Sequence, residues 1–144
     1  MYDTGTTTVS ELIDRKSVRH VLLFSNFFTM ESFIETKNGF GLSNLPWGIF
    51  SRLGHPQHLS VGVALGEFVV DVGALVEAGL MAGPILSQMG MGCMAPGTSS
   101  LNKLMALGPP AWSEARATLQ RLLSRHEGIL RDNGNLMGKA LVSR

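Results

Sequence analysis

The chain contains a single cysteine, Cys93, so no disulfide bond can form within it, and this composition suits a reducing compartment. The sequence also lacks any run of about 20 apolar residues, the length that a membrane-spanning helix requires. Twelve lysines and arginines face eleven aspartates and glutamates, and a net charge of +1 gives no electrostatic reason to expect a nucleic-acid partner. We therefore predict neither a membrane protein nor a nucleic-acid-binding protein.

What the chain does contain is typical of a globular domain. Hydrophobic residues make up 44% of 144 residues and charged residues 16%, enough for one domain with a buried core. The stretch from Arg15 to Met30 mimics a targeting signal, because basic residues precede the apolar run Val21–Phe24. However, Glu11 and Asp14 precede the stretch and no small-residue cleavage site follows, so we expect a cytoplasmic protein.

The first 29 residues differ from the rest. They open with a threonine-rich stretch and show no pairing or capping pattern, whereas Met30 begins MESFIE, an ordinary cytosolic start. We predict that residues 1–29 are an extension, disordered or misannotated, that Met30 rather than Met1 is the start, and that residues 30–144 form the domain. The alternative is an additional helix from Ser10 to Phe24, which Ser10 would cap.

The clearest strand pattern begins at residue 59. Leu59, Val61 and Val63 alternate with other residues, as in a strand with one buried face. A second apolar run spans Phe68 to Val72, and Gly66-Glu67 between the two runs fits a two-residue type II′ turn. A β-hairpin is predicted.

Three further stretches have weaker patterns. Residues 43–51 indicate a loop that enters a strand, and the polar residues 52–58 indicate a second loop. The final residues, KALVSR, are predicted to begin a strand whose partners would lie outside this chain.

Short helices are predicted between and after these stretches. Asp71 is placed to start a helix over residues 73–78, and Ser99 or Ser100 to cap another over residues 101–107. After the long helix described next, the Asn-Gly pair near residue 133 indicates a turn or a frayed helix.

The longest predicted helix begins at Pro110, after Gly108 ends the helix before it. One buried stripe with helical spacing consists of Trp112, Ala115, Leu119, Leu122, Leu123 and His126. The opposite side is polar and consists of Ser113, Glu114, Arg116, Gln120, Arg121 and Arg125. We interpret this helix as a packing element whose arginines face solvent. Strands first and helices after predict an α+β fold, a small, partly open β-barrel with packed helices.

No group of residues has the pattern of an active site. Of the four histidines, His20, His55, His58 and His126, only His55 and His58 are close in sequence. A metal site would need more ligands, so we interpret these two as exposed loop residues. His126 is explained by its place at the end of the long helix.

Three other chemical signals are equally weak. The stretch Gly90–Cys93 lacks the preceding strand and the third glycine of a dinucleotide-binding loop, so nucleotide binding is rejected. Cys93 has no base nearby in sequence, and the acidic residues are too scattered to form a general acid–base pair. We predict no catalytic, substrate-binding or metal-binding residue in this chain.

Three segments carry a family resemblance: SNLPWGIFS, then VGVALGEFVVDV, then LMALGPPAWSEARATLQRLL. In this order they resemble the N-terminal domain of the fumarylacetoacetase family, from about Ser32 to the end of the chain. The resemblance implies an SH3-like barrel, in which Trp47 and Phe50 anchor the barrel while Trp112 and Leu119 seat the long helix. The residues before Met30 have no counterpart in that family.

For the whole enzyme, the resemblance implies a homodimeric hydrolase of tyrosine and phenylalanine catabolism. Such an enzyme cleaves a carbon–carbon bond of 4-fumarylacetoacetate with water, giving fumarate and acetoacetate. A histidine oriented by a glutamate activates the water, and Ca²⁺ or Mg²⁺ held by carboxylates polarises the substrate. These residues belong to a larger C-terminal domain downstream of Arg144, so no cofactor is expected on this chain.

Three hypotheses follow. The first is that the chain is the N-terminal part of a fumarylacetoacetase, inactive alone, whose partner is the missing C-terminal catalytic domain. The second is a stand-alone SH3-like binding module that pairs with the full-length enzyme. The third, a self-sufficient hydrolase, would need an active site that the sequence does not show. We prefer the first.

Overall fold

The computed structural model describes residues 31–89 and 91–144. The predictions made for residues 1–29, for a start at Met30, for a helix over residues 10–24 and for His20 lie outside the described residues.

Four strands form one antiparallel sheet in the order in which they follow along the chain. They are β1 (Trp47–Arg52), β2 (His55–Leu65), β3 (Phe68–Asp71) and β4 (Leu141–Ser143). Together with the helices this confirms an α+β fold. In the described residues the sheet is open, with β1 and β4 at its edges, and its closure into an SH3-like barrel stays a prediction.

The C-terminal strand finds its partner inside the chain. β4 pairs with β3, with Val69 opposite Val142 and Val70 opposite Leu141. The prediction that this strand needs partners outside the chain is therefore wrong. The polypeptide returns after its helices to the edge of β3, a long-range pairing that no local pattern in KALVSR encodes.

The β2–β3 hairpin has the predicted turn. Leu65 pairs with Phe68, so Gly66 and Glu67 are the two loop residues. Gly66 has a φ of +57°, and among the described residues only glycines have a positive φ. A type II′ turn requires positive φ at its first central residue alone, whereas type I′ requires it at both. The predicted type II′ turn is confirmed.

β1 and β2 also form a hairpin, and β2 begins four residues earlier than the strand pattern predicted from residue 59. Arg52 pairs with His55 across a shift in register after Ser51, which leaves Leu53 and Gly54 as the loop. The loop predicted over residues 52–58 is therefore mostly strand. Backbone hydrogen bonds extend this two-stranded ribbon beyond the core, where a strand needs no apolar side chains. Because its sequence is polar, the segment was predicted as a loop.

The helices connect β3 to β4. They are α1 (Val72–Glu77), α2 (Pro84–Met89), a 3₁₀ turn (Met91–Cys93), α3 (Asn102–Ala106), α4 (Pro109–Leu122), α5 (Gly128–Arg131) and α6 (Gly134–Ala140). Within the described ranges, no helix is long and apolar enough to cross a membrane.

Side-chain caps define several helix starts. As predicted, Asp71 caps α1, with Oδ1 accepting a hydrogen bond from Ala74 N–H at 3.2 Å. At α3 the residue before the helix is Leu101, yet Ser100 Oγ accepts from Asn102 N–H at 3.1 Å. The stretch around residue 133 contains two short helices, and Asn133 caps the second of them.

α4 packs on the core through a slightly different stripe from the predicted one. It begins at Pro109, one residue earlier than predicted, after Gly108 with a φ of +86°. Its buried residues are Ala111, Ala115, Thr118, Leu119 and Leu122. Burying each leucine contributes roughly 1.5–3 kcal/mol.

Two members of the predicted stripe are exposed. Trp112 lies beside the stripe, 41% exposed, with its indole N–H donating to the carbonyl of Leu104 at 2.8 Å. His126 lies past the end of the helix and is exposed. The first turns of the helix face the core with Ala111 and Ala115, both fully buried, and not with the indole.

Candidate interaction surfaces

The described residues contain no cluster of side chains with the composition of a metal site. In the part of the chain that the structure describes, no group of three or more histidine, cysteine, aspartate or glutamate side chains could hold a metal ion. His55 and His58 are exposed, as predicted, but on β2 rather than in a loop, with ring centroids 5.8 Å apart.

Cys93 lies in the core rather than at a reactive surface. Its side chain is buried in the 3₁₀ turn. Burial raises the pKa of the Cys93 thiol above its ordinary value, more than a backbone hydrogen bond and the charge of Lys103 lower it. A thiol with a raised pKa is a weak nucleophile at neutral pH, so Cys93 is a packing residue.

Asp71 joins three elements. Besides capping α1, its carboxylate accepts a hydrogen bond from Arg52 of β1, Nη2 to Oδ2, at 2.9 Å. The same Arg52 nitrogen donates to the carbonyl of Lys139 in α6 at 2.6 Å. Asp71 is only 6% exposed, whereas the Arg52 side chain is 42% exposed, so a buried carboxylate and a partly solvated guanidinium together fasten α1 and α6 to the sheet.

Glu114 has a similar connecting role on α4. Its Oε2 accepts hydrogen bonds from the backbone N–H groups of Ile85, at 3.0 Å, and Leu86, at 2.6 Å. These donors belong to the first turn of α2, where backbone N–H groups have no partner within the helix. The carboxylate thus supplies the cap that α2 lacks in its own sequence.

Two further polar residues of α4 fasten the loop before β1. Arg116 Nη2 donates to the carbonyl of Ser43 at 2.5 Å, and Gln120 Nε2 donates to that of Leu42 at 3.0 Å. The interpretation of the α4 arginines as solvent-facing does not hold for Arg116, which is half-buried and bonded to this loop, whereas Arg121 is exposed as predicted. The signal that could have identified such connecting residues was their place in the block AWSEARATLQ, which carried the resemblance.

One surface with apolar side chains lies beside α3 and α4, which we call the Trp112 groove. It has a volume of about 420 Å³. It is lined by Trp47, Leu101, Leu104, Met105, Pro109, Trp112, Ser113, Ala115 and Arg116. Met105 is 60% exposed there, so the groove presents apolar area to solvent. Trp47 also packs on the core, as predicted for an anchor.

A second surface is the outer sheet face, defined by Phe50, Gly62, Ala64, Val69 and Val142. The strand pairings place these residues opposite the buried positions Val61, Val63, Leu65 and Val70. A Cβ on Gly62 would lie 2.6 Å from atoms of both Phe50 and Val69, so the two side chains close over the glycine. Phe50 thus lies on the face away from the core and does not anchor it.

Comparison with known proteins identifies relatives of this chain. Residues 43–144 match the family model described as "Fumarylacetoacetase N-terminal". The chain belongs to the fumarylacetoacetase family. The match begins at the loop that Arg116 and Gln120 fasten, so the segments that carry the resemblance are in contact in the structure.

Three curated fumarylacetoacetases illustrate the similarity. The protein from Oryza sativa subsp. japonica is 44% identical over 117 residues, which are 78% of this chain and 26% of that protein. The Arabidopsis thaliana protein is 43% identical over 116 residues, 77% of this chain and 26% of its own length. The Homo sapiens protein is 39% identical over 105 residues, which are 73% of this chain and 24% of that protein. The chain matches about a quarter of each of these relatives.

Proposed function

We propose that this chain is the N-terminal part of a fumarylacetoacetase and is inactive alone. The enzyme would hydrolyse a carbon–carbon bond of 4-fumarylacetoacetate to fumarate and acetoacetate, in tyrosine and phenylalanine catabolism in the cytoplasm. The observation that carries the proposal is the match of residues 43–144 to the N-terminal region of that family. In this proposal the open sheet is the core of the expected SH3-like barrel.

The described residues do not fit the Ca²⁺ or Mg²⁺ that the family resemblance implies. Ca²⁺ takes about six to eight oxygen ligands and Mg²⁺ about six. Yet no group of even three suitable side chains occurs among residues 31–89 and 91–144. The proposal therefore assigns no metal-dependent step to these residues. We place the metal ligands, the catalytic histidine and the dimer contacts of the homodimer in the C-terminal part of such an enzyme.

The side chains that this part does supply are structural. Asp71, Glu114 and Arg116 each make hydrogen bonds between elements that are far apart in the sequence. Such contacts hold the sheet and the helices in one arrangement and thereby fix the shape of the surface that the domain presents. We infer that this domain supports the catalytic part by docking on it rather than by contributing to the chemistry.

The test is to purify the 144-residue chain alone and together with the catalytic part of the rice relative. Release of fumarate and acetoacetate is measured in both samples, and association by co-purification. We expect no turnover by the chain alone and a stable complex with the catalytic part. Turnover by the chain alone, or no association, would refute the proposal.

A second test asks whether the catalytic part is encoded in cis. Transcripts are sequenced across the codon for Arg144, where the proposal expects a reading frame that continues into a segment rich in histidine and carboxylates. A stop codon at that place in every transcript would contradict the in-cis arrangement. The stand-alone binding module would then be examined by its capture of the full-length enzyme.

A further inference from the structure

The outer sheet face has the wrong composition for a surface in permanent contact with water. An antiparallel sheet with one solvated face alternates apolar residues inward with polar residues outward. Here four outward positions, Phe50, Ala64, Val69 and Val142, are half-buried and apolar, while Ser60, opposite Phe50, is polar and half-buried. Asp71 also occupies an outward position, but its carboxylate is bonded to Arg52. This composition is typical of a face that another layer covers.

The shape of the face is suited to docking. Phe50 and Val69 form a ridge with a depression on each side, one of about 730 Å³ toward β4 and one of about 350 Å³ toward Phe40. At the rim of the larger depression, in the β1–β2 turn, Leu53 is completely exposed. A leucine there contributes nothing to the fold of this domain, whereas it would gain by burial against a partner.

The C-terminal residue of the chain lies on the same face. Arg144 lines the larger depression, its backbone N–H donates to the carbonyl of Glu67 at 3.0 Å, and its guanidinium lies 5.2 Å from the ring centroid of Phe40. The family match is to the N-terminal region, and the curated relatives are about four times as long as the matched part. In a protein of that length, the polypeptide that follows β4 would leave from the rim of this face.

We propose that the outer sheet face, with Leu53 at its rim, is the surface that docks on the catalytic part of a fumarylacetoacetase. This inference rests on the proposed function and names the surface through which it acts. The partner surface is apolar at its centre and acidic at its edge. The acidic edge would face Arg144, for which the described residues provide an aromatic ring but no ion pair.

The Trp112 groove provides the matched control. It also exposes a large apolar side chain, that of Met105, but it lies on the helical side of the molecule and not beside Arg144. Leu53 and Met105 are both well exposed, so the same substitution at either position leaves the core intact. Any difference between the two variants then reports on docking and not on folding.

The experiment uses the full 144-residue chain co-expressed with the catalytic part of the rice relative. Leu53→Glu and Arg144→Glu are expected to lower the affinity by about tenfold or more each, because the first would bury a charge against an apolar partner and the second would place a like charge opposite the acidic edge. Met105→Glu is expected to leave the affinity unchanged. Circular dichroism of each variant verifies that the fold is retained.

Thiol protection gives a second, independent readout. Cys93 is buried, so Leu53→Cys and Met105→Cys each introduce one accessible thiol. With the partner at about ten times its Kd, maleimide labelling at position 53 should slow about tenfold, because only the uncomplexed fraction reacts, while labelling at position 105 should keep its rate.

The outcomes separate the two proposals. The docking surface is refuted, and the proposed function left intact, by either of two results. One is a complex with Leu53→Glu as tight as that with the unmodified chain. The other is an unchanged labelling rate of the thiol at position 53 in the complex. If the unmodified chain forms no complex, the proposed function fails and this inference fails with it.

Discussion

Removal of the Asp71 carboxylate should destabilise the domain strongly, because two contacts between elements depend on this one side chain. Asp71→Ala loses the cap of α1 and the hydrogen bond from Arg52, which itself reaches Lys139 in α6. Asp71→Asn keeps an oxygen that can cap the helix, since asparagine and aspartate cap about equally well. The pair of variants therefore separates the cap from the ion pair.

The magnitudes follow from these contacts. The lost cap should cost about 0.5–2 kcal/mol. The bond to Arg52 is charge-assisted, but the Arg52 side chain is 42% exposed, so solvent screening reduces its share to about 1 kcal/mol. Asp71→Ala should therefore lower the free energy of unfolding by about 1.5–3 kcal/mol, and Asp71→Asn by about 1 kcal/mol.

Urea unfolding followed by far-UV circular dichroism and by tryptophan fluorescence measures these differences, provided that the two transitions coincide. Arg52→Met, alone and combined with Asp71→Asn, completes a double-mutant cycle and isolates the pair. Equal losses in Asp71→Ala and Asp71→Asn would refute the capping role. A loss below about 0.5 kcal/mol in Asp71→Ala would refute the whole account of this residue.

Three other outcomes are expected. Gly62→Ala should lower the free energy of unfolding by about 1–3 kcal/mol, because its Cβ would lie 2.6 Å from an atom of Phe50. In thermal unfolding, Phe50→Leu in the same chain should recover part of this stability. An unchanged melting temperature in Gly62→Ala would contradict this packing. Glu114→Ala should lower the free energy of unfolding by about 1–3 kcal/mol, and Glu114→Gln clearly less, since an amide oxygen can still accept the hydrogen bonds from the N–H groups of α2. Equal urea midpoints for the two variants would disprove the capping contact. Burial raises the pKa of the Cys93 thiol above its value in the unfolded chain, so the stability that the protonated thiol contributes is complete below the unfolded pKa and is lost as the pH rises through the folded pKa. The urea midpoints of Cys93→Ala and of the unmodified chain should therefore converge with rising pH. Parallel curves would exclude the effect.

The polar side of α4 shows where prediction from the sequence stopped. Its residues have the spacing of a solvated face, which is the correct inference for a helix taken alone. Glu114 and Gln120 instead bond to backbone groups of residues 28 and 78 positions away. The sequence does not say which backbone groups these side chains bond, since any N–H or carbonyl group at a loop or helix end could serve. Only the folded chain brings the actual partners together.

Three local features could be read from the sequence alone. The β2–β3 hairpin with its Gly66 turn, the Asp71 cap and the break at Gly108 all depend on residues within a few positions of one another, so short-range sterics and hydrogen bonding determine them. Tertiary structure decided the rest. The pairing of β4 with β3, the exposure of Trp112 and the apolar outer sheet face depend on which surfaces meet, because burial is a property of the assembled layers and not of any single segment.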